Sequence, residues 1–141
     1  MQPLFEVALS RSWHWGIAIV SAPGAAVPEA LDKSLVTGSH EALVIKVRHA
    51  HDVDVEVFDG DWDWAIATIR VRSLTDFEDT AEPPIYEGLL RLPEGRLVIG
   101  DADSEVTLND LADQTRVRVH AAGESASGAT EVLIDLAPMT Q

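Results

Sequence analysis

The sequence predicts an all-β fold: an antiparallel β-sandwich of about 8–10 short strands with one short helix near residues 28–35. Three observations carry that reading. Most apolar stretches alternate with a period of two residues, as half-buried strands do. Turn residues punctuate them at short spacing. No unit of strand followed by amphipathic helix recurs, so a parallel α/β sheet is not indicated. The 141 residues are 46% hydrophobic, enough for one core, and no linker divides them. The expectation is one domain over residues 1–141.

The strands follow in order. Phe5, Val7 and Leu9 alternate with Glu6, Ala8 and Ser10, and "WGIAIV" supplies a second strand. "PGAAVPEALDKSL" is broken by Pro23, Gly24 and Pro28, after which Glu29 to Leu35 allow two helical turns with Pro28 at the first position. "EALVIKVRH" sets Leu43, Ile45 and Val47 against Lys46 and Arg48. "DVDVEVF" sets Val53, Val55 and Val57 against Asp52, Asp54 and Glu56. Asp59-Gly60 marks a hairpin turn, with "WAIATIRVRS" returning as the partner strand. Residues 74–84 read as an acidic loop ending in a double proline. "IYEGLLRL", "RLVIGD", "EVTL", "RVRVHA" and "TEVLIDL" complete the series.

Charge narrows the function. There are 24 acids against 10 bases, for a net charge of −14. Such a chain repels nucleic acid and anionic membranes and attracts basic partners, although acidity also serves solubility alone. The bases are scattered singly, without a nucleic-acid footprint. With no cysteine, disulfides, thiolate catalysis and zinc ribbons are excluded. No apolar run reaches the ~18 residues that span a bilayer. The apolar part of "WGIAIVSAPGAA" is read as a strand and not a signal peptide, which makes the expected location cytoplasmic. Arginine, alanine and valine usage suggests a bacterial source. No G-x-S-x-G or phosphate loop is present, so catalysis finds no motif to support it, a non-enzymatic role is favoured over an enzymatic one, and no cofactor is expected.

The densest acidic stretch is "HDVDVEVFDGDWDWAI". Asp59, Asp61 and Asp63 have the spacing that opens a calcium loop, but Trp64 and Arg70 stand where glycine and glutamate are required. A better reading makes Asp52, Asp54, Glu56, Asp59, Asp61 and Asp63 an acidic face, relieved in part by cross-strand Arg70 and Arg72. Tryptophan occurs as two W-x-W pairs, Trp13/Trp15 and Trp62/Trp64. In strands each pair shares a face, to be packed in the core or exposed as an interface anchor. Trp62 and Trp64, at an acidic turn, are the expected anchors.

The alternative is a small metal-dependent, cupin-like β-barrel enzyme using His49, His51 and Glu56, which have the first-motif spacing of metal-binding cupins. The second cupin motif fails: after "PEG" at 93–95, Leu97 and Val98 stand where a ligand is needed. A third reading makes the chain a subunit of a larger assembly, a homo-oligomer with an apolar sheet face hidden by a copy of itself.

"LFEVALSRSWHW", "PEALDKSLVTG", "EALVIKVR" and "YEGLLRLPEGRLVIG" succeed one another as an aromatic-bearing strand, a short acidic helical piece, a strand and a run of hairpins. This layout resembles the competence protein J family, small acidic bacterial proteins that inhibit a DNA-entry nuclease. The family's Trp-Thr or Trp-Ser before the helix is replaced here by Val27-Pro28. The resemblance implies an immunity- or inhibitor-like protein docking a basic nuclease or toxin. It transfers no binding residue.

Overall fold

Period-two alternation builds ten strands among the residues that the computed structural model describes, which are 4–28, 34–50, 65–77, 83–124 and 128–139. They are β1 (Phe5–Arg11), β2 (Ile17–Ser21), β3 (Val36–Gly38), β4 (Ala42–Lys46) and β5 (Ala67–Ser73). β6 (Tyr86–Arg91), β7 (Leu97–Gly100), β8 (Glu105–Leu108), β9 (Gln114–Glu124) and β10 (Ala129–Pro138) follow. Two five-stranded sheets result, ordered β1-β5-β10-β9-β6 and β3-β4-β2-β7-β8. Their inner faces share one apolar cluster, with Leu43 and Ile45 of β4, Ile69 and Val71 of β5, and Ile134 and Leu136 of β10 fully buried. Each such side chain is worth roughly 1.5–3 kcal/mol of transfer free energy.

The sheets are mostly antiparallel. The exception is β5 beside β10, which run parallel. Parallel neighbours need a crossover, and here all of β6 to β9 intervenes in sequence. The expected hairpin partner of β5, over Asp52–Phe58 with its Asp59-Gly60 turn, lies outside the described residues. A strand has two edges, and those of β5 are taken by β1 over Ala67–Ser73 and by β10 over Thr68–Ser73. The expected helix near 28–35 falls mainly on residues 29–33, outside the described ones; Pro28, Ser34 and Leu35 are not helical. The short β3, which the sequence reading lacks, pairs with β4.

Among the described residues, contacts at several places close the sandwich. At one corner Val47, just beyond β4, bridges Ala129 at the start of β10, and Arg48 donates its N–H to the Ala129 carbonyl at 2.9 Å, so the sheets join. Along the β1 edge Arg11 reaches the other sheet, donating to Asp101 at 2.9 Å and to the Ser104 carbonyl at 3.1 Å. Along the β6 edge the Tyr86 side chain lies against Gly38 of β3 and Gly88, where a Cβ would collide with its ring or hydroxyl. Burial pushes the Tyr86 hydroxyl above its ordinary pKa.

Candidate functional site

The expected binding residues Asp52, Asp54, Glu56, Asp59, Asp61, Trp62, Asp63 and Trp64 all lie outside the described residues. Their point of attachment is described. Ala50 and Ala65, 0% and 4% exposed, flank the segment, and Ala65 N–H donates to the Ala50 carbonyl at 2.9 Å. The segment therefore leaves and rejoins the sandwich at one buried spot. Ala50 in turn donates to the Trp13 carbonyl at 2.9 Å.

That carbonyl also accepts the Gly16 N–H at 3.1 Å, closing a turn over residues 13–16. Gly16 has φ +68°, a conformation strained for any side chain, and His49 packs where a Cβ would project. The turn separates the first tryptophan pair, because the shared-face rule holds only in a strand. Trp13 is 0% exposed, donates Nε1–H to the Ala67 carbonyl at 3.0 Å and carries the Arg11 guanidinium 3.6 Å above its ring. Trp15 is 59% exposed. Ile66, next to Ala65, is 53% exposed.

The foot of residues 51–64 is thus flanked by two large uncovered apolar side chains, with the half-buried His14 and His49 beside them. Ser12 Oγ lies 3.4 Å from His14 Nε2. Exposed apolar and half-buried polar side chains thus occur together at the ends of this segment. The sequence reading placed the expected anchor on the other pair and did not separate Trp13 from Trp15. The available signal was Gly16, which ends the alternation directly after it. Of the alternative metal set, His49 is described, while His51 and Glu56 lie outside the described residues. Among the described residues no three His, Asp or Glu side chains converge as metal ligands.

The arginines expected to relieve the acidic face lie on β5, while that face itself lies outside the described residues. Arg72 donates Nε and Nη2 to the two carboxylate oxygens of Asp135 at 2.7 and 2.8 Å, and Arg70 lies 3.6 Å from Glu6. On the outer face of the first sheet, register aligns Glu6, Arg72, Asp135, Arg118 and Glu87 in one row of alternating charge. Arg118 and Glu87 approach to 2.7 Å. Phe77 lies under Arg116 and Arg118, 4.8 and 4.4 Å from ring centroid to guanidinium. Asp76 accepts from Arg116 at 2.6 Å. This hydrogen bond, with the Phe77 N–H, holds its carboxyl below the usual pKa. Burial pulls the Asp101 carboxyl upward, but bonds from Arg11 and from the N–H groups of Asp103 and Ser104 outweigh it and leave the pKa lowered.

A search of solved structures finds this architecture in two proteins. The crystal structure of ComJ, inhibitor of the DNA-degrading activity of NucA, from Bacillus subtilis, matches with a TM-score of 0.51 over 98% of both chains. The fold is ComJ-like. The product of crocagin biosynthetic gene J matches with the same TM-score, 0.51, over 96% of both chains. Identities are 11% and 15%, so the likeness is one of fold. No protein-family model and no curated protein sequence matches the chain. Among the described residues no helix is long and apolar enough to cross a membrane.

Proposed function

We propose that this chain is a non-enzymatic binding protein of the inhibitor or immunity type, docking a basic protein such as a nuclease or toxin. One observation carries the reading: in a chain of net charge −14, Trp15 and Ile66 stand exposed at the foot of the acidic segment. Complementary charge speeds encounter, and buried apolar anchors slow release. In this reading Asp52, Asp54, Glu56, Asp59, Asp61 and Asp63 steer the partner. Trp62 or Trp64 anchors it together with Trp15. The ComJ-like architecture supports the reading, since ComJ inhibits a nuclease. The bacterial, cytoplasmic setting stays part of the proposal.

The test has two stages. Immobilised protein is exposed to a lysate of its native host and eluted with a salt gradient, and the retained basic protein is purified. Association kinetics are then measured with Asp59, Asp61 and Asp63 all changed to Lys. The expected result is association slowed by roughly 10–100-fold with a flatter salt dependence. An unchanged rate and salt slope would remove the acidic segment from the docking surface.

A further inference from the structure

We propose that two copies of this chain pair through the outer face of the β1-β5-β10-β9-β6 sheet. The proposal does not depend on the inhibitor reading. Charge is the first reason. On this face Glu6, Asp76, Glu87, Glu131 and Asp135 stand against Arg70, Arg72, Arg116 and Arg118, so the balance is near neutral in a chain of −14. Two such chains repel each other strongly through the surfaces that carry the excess. Here that repulsion is small. The arginines are drawn to carboxylates of their own chain, Arg72 through two hydrogen bonds, which argues against an anionic ligand as the occupant. A basic partner gains little from a balanced surface.

Shape is the second reason. Next to the charged row runs another, with Ala8, Arg70, Leu133 and His120 in register and Ile85, one residue before β6, at its end. Leu133 is half-buried in a depression of about 230 Å³ bordered by Thr68, Arg70, His120 and Glu131. Ile85, at the end of the row, is 47% exposed. The depression offers a place for a side chain from a facing copy.

Area is the third. Five strands at ~4.8 Å spacing, each about seven residues long at ~3.3 Å per residue, give roughly 550 Å² of face per copy. Pairing would bury about 1,100 Å² in total, just above the ~1,000 Å² that a specific interface requires.

Sedimentation equilibrium of the full chain over a concentration series into the millimolar range tests this. The expected mass is twice 15.3 kDa. Leu133→Glu sets one added carboxylate from each copy at the centre of the face. It should raise the dissociation constant at least tenfold while circular dichroism stays native. Thr107→Glu, exposed on β8 of the other sheet, adds the same charge and should leave the dimer intact. If Leu133→Glu does not fold, Ala8→Arg at an exposed position of β1 replaces it. A wild-type mass of 15.3 kDa throughout would overturn the proposal. So would a dimer surviving both face variants, or one lost equally in Thr107→Glu.

Discussion

The outer face of the first sheet and the corner at Trp15 meet solvent in opposite ways. On the sheet face, charged side chains are held by neighbours of opposite sign, down to an Asp135 that is only 4% exposed. At the corner, an indole and an isoleucine side chain stand more than half exposed although the sandwich has an apolar core to receive such groups. The difference follows from backbone geometry. A strand presents alternate residues to neighbours about 5 Å away on both sides, so side chains on a face find partners. A turn has no such neighbours, and whatever it carries outward remains available for something else.

If that contrast is sound, variants in the two regions separate along stability and binding. The largest loss of stability belongs to Asp135→Ala, which strips Arg72 of its two hydrogen bonds and removes the centre of the charged row. We expect about 3 kcal/mol, at the low end for a broken buried pair because Arg72 keeps some contact with water. Urea denaturation measures it, and a loss below 0.5 kcal/mol would mean the row is ornamental. Gly38→Ala comes next. The added methyl would have to displace Tyr86 from the β6 edge, at a cost of about 1–3 kcal/mol. Tyr86→Phe should barely change stability if the ring, and not its hydroxyl, fills that space.

The Asp101 clasp predicts a smaller effect with a pH signature. Its carboxyl has a lowered pKa in the folded chain, so its contribution is fully present above the unfolded value near 3.8. It is lost as pH falls from there through the lower, folded pKa. Asp101→Asn should cost about 1–2 kcal/mol at neutral pH and flatten the acid limb of the stability curve below pH ~4. An acid limb of unchanged slope would assign that titration to other carboxylates. The smallest effect on stability is expected at the corner: Trp15→Ala should stay within about 0.5 kcal/mol of wild type. With a bound partner it should raise the dissociation rate by roughly 30-fold, as loss of a hot-spot anchor does. Equal dissociation rates for the variant and the wild type would return Trp15 to the ordinary surface.

Much of the fold was legible because strand burial is written in the local pattern. Phe5, Val7 and Leu9 turn inward on β1, and Ile69 and Val71 on β5, as the alternation requires. The tryptophans show where that rule stops. Trp13 and Trp15 have strand spacing, and one glycine at positive φ was enough to send them to opposite environments. The arginines show it differently. Arg70-Val71-Arg72 and Arg116-Val117-Arg118 lie far apart in the chain, yet β10 between them brings both pairs onto one face. Scattered bases in the sequence are a gathered set in space.

The amino-acid sequence by itself determined the all-β class, the faces of its main strands, the lack of cysteine chemistry and the excess of negative charge. These follow from residue type and from a period of two, which are local properties. Tertiary structure alone decided that β5 lies between β1 and parallel β10, that Arg72 serves Asp135, that Arg11 clasps Asp101 across the sheets, and that Trp15 is the exposed member of its pair. Each of these depends on which distant strands become neighbours. Pairing is settled by burial of the whole apolar cluster together, and no local window of sequence contains that information.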